Sequence, residues 1–492
     1  MQNQQTSYRQ IMKATSLFGG VQVFNIIISI VRSKIVAVFL GPAGMGVMGL
    51  LTSTTGIISS LTNFGLGTSA VKNIAEASGT ADQNRIATVV TAFRRMVWFT
   101  GLLGLIVTLI LSPWLSQLTF GNKKYTLAFI WLSVSLLFNQ LCSGQMVLLQ
   151  GMRKLKYLAK ADVVGNSIGL LITLPLYYFF GIDGIVPGII GTSVISLFVA
   201  LYFSRKVQVT NIAISHSQTI LEGKGMLKMG LMISLSGLLS LGAAYIVRIF
   251  ISRTGGVEQV GLYSAGFAII NTYVGMIFSA MATDYYPRLS AVSYDNNLSK
   301  QIVNHQAEIA ILILSPILII FLVFINWAVI LLYSKQFLGV SDMIYWAALG
   351  MFFKAASWPI GYIFLAKSKG KIFMWSELVA NTYTLIFNII GYYYWGLTGI
   401  GISFLLSYVL ILLQVFYIGK IKFEFSFYSS FINIFIYQFS LALAGFFTLK
   451  FLTQPYTYVS GLLLISISTW YSVKELNKRL GLLTILKNYR KK

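Results

Sequence analysis

Long apolar segments constrain this chain more than any other feature of its sequence. About fourteen segments of roughly 20 mainly apolar residues follow one another, centred near residues 27, 57, 104, 137, 170, 195, 240, 272, 318, 354, 384, 408, 438 and 465. Inside a bilayer only helices and closed barrels satisfy the backbone polar groups, and segments this long fit helices. Only 10% of the residues are charged, against about 25% in soluble chains. The sequence therefore predicts an all-α polytopic membrane protein.

The positive charges predict the orientation of these helices. The net charge is +24, which by itself suggests a nucleic-acid partner. With a cytoplasmic N-terminus, however, 28 of the 37 Lys and Arg residues lie in cytoplasmic segments, five lie in outer segments and four lie within spans. Such an excess marks the cytoplasmic side and contact with anionic lipid headgroups. We therefore predict membrane lipids and no nucleic acid as partners, with both termini in the cytoplasm.

An internal repeat divides the chain. The triplet IVR ends at Arg32 and again at Arg248, and GIDGI at Gly181 matches GLTGI at Gly396. These and other matches keep a spacing of 215 or 216 residues. Self-similarity at a fixed spacing indicates duplicated structural units. We predict two homologous six-helix bundles, residues 10–205 and 225–420, a cytoplasmic linker at 206–224, two additional helices within 427–474 and a basic cytoplasmic tail at 475–492.

Three cations within the predicted spans are the first candidates for a site. Arg32, Arg248 and Lys354 lie where a charge costs about 2.5–3.5 kcal/mol on insertion scales, so they are expected to face protein or water. Gln22 and Asn25 share one helical face with Arg32. One reading is an anion-binding cavity, since guanidinium groups bind phosphate oxygens in pairs. The alternative is a buried Arg32–Arg248 pair that only fixes helix packing.

A second set of polar residues suggests ion coupling. Glu377 and Asn381 are four residues apart on the eleventh predicted span, and Asp162 occupies the matching place in the fifth. Carboxylates at such positions suit H⁺ or Na⁺ coupling of transport to an ion gradient. They would equally suit simple ties between helix ends near the cytoplasm.

Catalytic and cofactor signatures are absent from the sequence. The chain has one cysteine and two histidines, and it lacks the HExxH, GxSxG and P-loop patterns. The outer loops are very short, which leaves little room for a catalytic domain. We therefore predict a transporter without a cofactor, not an enzyme. A polytopic glycosyltransferase or polymerase is the less favoured alternative.

Two segments carry a family resemblance. VRSKIVAVFLGPAGMGVMGLLTS in the first half and AAYIVRIFISRTGGVEQVGLYSAGFAI in the second resemble the Wzx-type lipid-linked oligosaccharide flippases of bacteria. These belong to the multidrug/oligosaccharidyl-lipid/polysaccharide exporter superfamily. The resemblance implies two six-helix bundles that form a V-shaped cavity. The two additional C-terminal helices depart from the usual twelve.

The resemblance also implies a substrate and a location. The expected substrate is undecaprenyl-pyrophosphate oligosaccharide, such as an O-antigen repeat unit, flipped from the cytoplasmic to the periplasmic leaflet of the bacterial inner membrane. Arg32, Arg248 and Lys354 would hold the pyrophosphate or acidic sugars, while Gln22, Asn25 and Asn139 would meet sugar hydroxyls. A polysaccharide polymerase and other assembly proteins are the expected partners. An ion-coupled multidrug exporter of the same superfamily is the main alternative, although its cationic substrates would favour an acidic cavity.

Overall fold

The computed structural model describes residues 24–79, 82–207, 209, 212–453 and 455–480. Within these residues the regular structure is helical. A first helix, α1, covers residues 24–39. The others are α2 Gly41–Thr62, α3 Leu66–Gly79, α4 Gln83–Phe120, α5 Thr126–Gly151, α6 Leu155–Phe180, α7 Ile185–Ser204, α8 His216–Gly255, α9 Val257–Phe267, α10 Gly275–Ala291, α11 Asn296–Leu332, α12 Ser341–Ala366, α13 Gly370–Phe423, α14 Ser429–Phe451 and α15 Tyr456–Leu480.

The helix lengths confirm the predicted fold class, an all-α polytopic membrane protein. Among the described residues, nine helical stretches are long and apolar enough to cross a membrane. Two of them, Leu155–Ser204 and Gly370–Phe423, have 50 and 54 residues, which is too long for one crossing of a core about 30 Å thick. Each stretch is interrupted by a glycine with positive φ, Gly181 or Gly396. All fourteen predicted span centres fall in helical segments.

Polar side chains fix where several helices begin. Asp82 precedes α4 and accepts a hydrogen bond from the Asn84 amide, while Asp295 precedes α11 and accepts from the amides of Asn297 and Leu298. These bonds satisfy N–H groups that have no partner within the first helical turn. The caps lie at the ends of α4 and α11 that the charge distribution assigns to the cytoplasm.

Backbone geometry recurs at the interval of the sequence repeat. Gly181 has φ 56° and ψ −130°, and Gly396, 215 residues later, has φ 55° and ψ −138°. Arg153 and Ser368, again 215 apart, have φ values of 53° and 55°. Helices α5 and α12 both have 26 residues and begin 215 residues apart. Conformations with positive φ are uncommon outside glycine, so their recurrence supports the duplication, which stays a prediction.

The chain divides into two compact units, the first ending at Gly261 and the second beginning at Leu262. Helix α8 therefore packs within the first unit, although the repeat assigns it to the second half. Two sets of contacts hold it there. The Tyr245 hydroxyl lies 3.1 Å from that of Thr54 and 2.8 Å from that of Thr119. Arg253 donates to the carbonyl of Leu118 at 2.9 Å and satisfies the end of α4.

In the second unit, a buried carboxylate ties the last helices to α11. Glu308 is only 3% exposed. Its carboxylate accepts hydrogen bonds from Ser430 at 2.5 Å and from Nε of Arg479 at 2.8 Å. Arg479 also donates to Glu475, and hydrogen bonds from Lys478 and Arg479 lower the pKa of Glu475. This network lies at the ends of α14 and α15 nearest the predicted cytoplasmic side.

Replacing Arg479 with alanine is expected to lower the thermal unfolding midpoint clearly. The change leaves Glu308 buried without its cation, and breaking a buried ion pair costs about 3–5 kcal/mol. Thermal unfolding of the purified protein in detergent measures the effect. Lys478→Ala is the matched control, because Lys478 is exposed and contacts the same cluster through Glu475. Equal midpoints for the two variants would contradict the anchoring role of Glu308.

Candidate functional site

Two guanidinium nitrogens of Arg32 have no hydrogen-bond partner in the part of the chain that the structure describes. The residue is half-buried in α1. Its Nε and Nη2 atoms are buried and have no hydrogen-bond partner among the described residues. Tyr177 of α6 lies close enough to interact electrostatically with this charge, and the Tyr177 side chain is almost fully buried. Because a buried donor without an acceptor is costly, the arrangement suits an anionic acceptor supplied by a ligand.

Arg248 occupies a different setting in the same unit. It is half-buried on α8, and its Nη1 atom donates to the carbonyl of Ala244 on its own helix at 3.4 Å. Tyr245, one turn earlier, belongs to the buried hydroxyl cluster that contacts α2 and α4. The position of Arg248 is therefore fixed by the attachment of α8 to the first unit.

Lys354 lies in a cluster of aromatic rings in the second unit. Its Nζ atom donates to the side-chain oxygen of Asn271 at 3.0 Å. The same atom lies 5.3 Å, 5.7 Å and 6.0 Å from the ring centroids of Tyr408, Phe278 and Phe404. Ring faces stabilise an ammonium ion without neutralising it. Within the described residues no carboxylate forms an ion pair with Lys354, so this site keeps a net positive charge.

Asn271 belongs to an irregular helical segment. Residues Ala268–Val274 form a π-helix between α9 and α10. Such insertions are rare and occur frequently at functional sites. The side-chain nitrogen of Asn271 is buried and has no hydrogen-bond partner among the described residues. Next to Lys354 the protein therefore presents a second donor that a ligand oxygen can satisfy.

Asn25 and Asp162, predicted for different roles, are brought together. The Asn25 side-chain nitrogen donates to Asp162 at 2.6 Å, and its oxygen accepts from Asn166 at 3.1 Å. Asn166 also donates to Asp162 at 3.2 Å. These bonds tie α1 to α6, and α1 also carries Arg32. The geometry favours the structural reading of this group, a tie between helices, over direct substrate contact.

The remaining predicted residues are not brought together with the cations. Asn381 donates to the backbone carbonyl of Glu377 on its own helix at 2.8 Å. Glu377 is half-buried, and Asn139 is exposed. Gln22 lies outside the described residues. Roles for these four residues in substrate or ion binding stay predictions.

Sequence reasoning missed the neighbours of Lys354. Phe404 and Tyr408 are four residues apart on α13, and their rings lie 4.6 Å from each other. That spacing places two side chains on one helical face. In an apolar span such a pair is ordinary, so the sequence did not indicate that these rings contact a cation. Asn271 was hidden as well, because a π-helix shifts the register that an α-helical pattern predicts.

A family model described as "Polysaccharide biosynthesis protein" matches residues 35–342. The match covers more than half of the chain; it includes Arg248 and begins three residues after Arg32. The chain belongs to the polysaccharide biosynthesis protein family. This membership agrees with the resemblance to Wzx-type flippases.

Two curated relatives of this family member support the same resemblance. The chain is 23% identical to the lipid III flippase of Escherichia coli K12 over 359 residues, which cover 72% of this chain and 85% of the relative. It is 25% identical to a proposed O-antigen transporter of Shigella flexneri over 394 residues, covering 77% and 90%. These matches support a transmembrane protein of the flippase type.

A solved structure shares the fold of this polysaccharide biosynthesis family member. The lipid II flippase MurJ, in an inward closed conformation, superposes with a TM-score of 0.69 at 15% sequence identity. The comparison covers 94% of this chain and 99% of that structure. It shows that this chain shares the all-α fold of that structure over nearly its whole length.

Proposed function

We propose that this protein flips undecaprenyl-pyrophosphate-linked oligosaccharide, an O-antigen or similar surface-polysaccharide repeat unit, from the cytoplasmic to the periplasmic leaflet by alternating access. The family membership and the two relatives, named as a lipid III flippase and an O-antigen transporter, support this class of substrate. Both relatives are described as moving a substrate, which supports a transporter without a catalytic reaction.

The unsatisfied guanidinium of Arg32 carries the proposal. A pyrophosphate group offers several anionic oxygens, and a guanidinium binds two of them with parallel hydrogen bonds. The buried Nε and Nη2 atoms of Arg32 are two such donors. Away from bulk water this attraction is screened less than at a surface. Arg32 would therefore bind the pyrophosphate, and Tyr177 would form part of the wall beside it.

Lys354 provides a second cationic contact in the proposed cycle. Its ammonium group and the unsatisfied nitrogen of Asn271 together offer donors to acidic oxygens. The surrounding rings hold the ammonium in place by cation–π attraction. Arg248, the repeat counterpart of Arg32, is the third proposed cation. Lys354 forms no ion pair with a carboxylate of the described residues, and such a cation suits an anionic headgroup better than a cationic drug.

Coupling and location are part of the same proposal. Glu377 and Asn381, with Asp162 as a weaker candidate because of its bonds to Asn25 and Asn166, would couple transport to an H⁺ or Na⁺ gradient. We place this multi-pass membrane protein in the bacterial inner membrane with both termini in the cytoplasm. Two homologous six-helix bundles would alternate access to the substrate. A polysaccharide polymerase would take over the flipped repeat unit.

Complementation tests the proposal. Expressing the protein in a flippase-null strain with a defined lipid-linked glycan is expected to restore surface polysaccharide, measured by glycan-specific gel staining. A strain lacking the glycosyltransferase that starts the repeat unit is the control, because the flippase has no substrate there. Well-expressed, membrane-inserted protein that restores none of several glycans, but exports cationic dyes, would support a multidrug exporter instead.

A further inference from the structure

A separate cavity in the first unit has a lining of unusual chemistry. Its volume is about 540 Å³, within the range of about 300–1,000 Å³ typical of small-molecule sites. No charged residue lines it among the described part of the chain. The polar groups are instead amides and hydroxyls from α2, α5 and the turn after α2, namely Ser60, Asn63, Gln140, Ser143 and Gln150.

Two of these amides are held in fixed orientations. The Asn63 side-chain oxygen accepts a hydrogen bond from the Gly65 amide at 2.8 Å. The Gln140 side-chain nitrogen donates to the Thr100 hydroxyl at 2.9 Å. Each hydrogen bond uses one end of a side-chain amide. The nitrogen of Asn63 therefore stays available as a donor, and the oxygen of Gln140 stays available as an acceptor. The cavity wall therefore offers both kinds of partner, which a hydroxyl group can use together.

Glycines and apolar side chains form the rest of the wall. Gly237 of α8 lines the cavity, and a Cβ atom added there would meet nothing within 4 Å. Val97, Val147 and Leu238 supply apolar surface. A sugar ring presents both hydroxyl groups and apolar C–H faces, so this mixture of surfaces matches it. A phosphate would be poorly stabilised there, because the described residues of the wall include no cation to compensate its charge.

We infer that this cavity binds uncharged sugar residues of the transported glycan, apart from the cations that bind its pyrophosphate. The inference rests on the proposed function and adds the substrate class that this cavity accepts. The cations would bind the pyrophosphate that all substrates share, and the cavity would bind the neutral sugars that differ between glycans. The protein could then select its substrate by those sugars.

The test fills the cavity from Gly237. Gly237→Phe introduces a ring at a position where an added Cβ atom meets nothing within 4 Å. Gly242→Phe is the matched control, because Gly242 lies on the same helix, has equally open space and does not line the cavity. A second variant, Gln140→Met, removes the amide with little change in volume, while the Thr100 hydroxyl keeps its bonds to the carbonyls of Met96 and Val97.

Binding to the purified full-length protein is measured by thermal stabilisation with two probes, undecaprenyl pyrophosphate and the same lipid carrying a neutral tetrasaccharide. We expect the wild type and Gly242→Phe to bind the glycosylated lipid more tightly than the bare lipid. Gly237→Phe should lose at least about tenfold in affinity for the glycosylated lipid, and Gln140→Met about threefold to tenfold. Both variants should bind the bare lipid normally.

Each outcome decides the inference. Equal preference for the glycosylated lipid in Gly237→Phe, Gln140→Met and the wild type would overturn it, as would a wild type that does not distinguish the two lipids. If Gly237→Phe does not fold, Gln140→Met gives the decision. Selective loss of glycan binding in a protein that moves neither lipid across vesicles would support the cavity assignment and overturn the proposed flippase function.

Discussion

Replacing Arg32 with glutamine is expected to abolish polysaccharide export without destabilising the protein. The Nε and Nη2 atoms of its guanidinium are buried and have no partner among the described residues, so the fold loses no known hydrogen bond from these two atoms. The substrate would lose a charge-assisted pair of bonds. One hydrogen bond to a charged group contributes about 1.5–3 kcal/mol, so the loss in affinity should be at least about tenfold to a hundredfold. Export and the thermal unfolding midpoint are measured together.

Two variants on the same helix sharpen this test. Arg32→Lys keeps the charge but not the paired donors, and should retain partial export. Lys34→Gln removes a charge two residues away, about 200° around the helix, and should export normally. A lowered unfolding midpoint for Arg32→Gln, with export lost in proportion to folded protein, would instead support the packing role of this residue.

Replacing Lys354 with methionine is expected to reduce transport without lowering the stability of the protein. Methionine keeps a long apolar side chain among Phe278, Phe404 and Tyr408, and it removes the cost of burying an ammonium ion. The unfolding midpoint should therefore stay equal or rise. Transport should fall at least about tenfold if the ammonium contacts the anionic substrate.

The exposed Lys369, in the turn before α13, provides the control for this variant. Lys369→Met removes an equal charge at the predicted cytoplasmic side and should change neither quantity by much. A clear drop in the midpoint of Lys354→Met with normal transport per folded molecule would show that Lys354 serves the packing of its aromatic cluster.

The sequence predicted the helices well because their cause is local. Runs of apolar residues, capping residues such as Asp295 and glycines such as Gly396 act within a few positions of the chain. Arg32, Arg248 and Lys354 were also visible in this way, because a charge within an apolar run is conspicuous whatever its neighbours are.

The contacts of the site join residues that are far apart in sequence, so local sequence patterns could not predict them. Asn25 meets Asp162 across 137 positions of sequence, and the repeat predicted no such pair. The attachment of α8 to the first unit depends on Tyr245 and Arg253, whose partners lie on α2 and α4. The π-helix at Asn271 shifts the register, so that helical periodicity did not reveal the partner of Lys354.

Movement of a fluorescent undecaprenyl-pyrophosphate oligosaccharide across reconstituted vesicles tests the central claim most directly. A quencher or a cleaving enzyme added outside the vesicles reaches only the lipid in the outer leaflet. The fraction of lipid that has been flipped is therefore measured in a purified system. Wild-type protein should flip this lipid, and Arg32→Gln should flip it at least about tenfold more slowly. Equal flipping by wild type and Arg32→Gln would contradict the claim that this guanidinium holds the pyrophosphate.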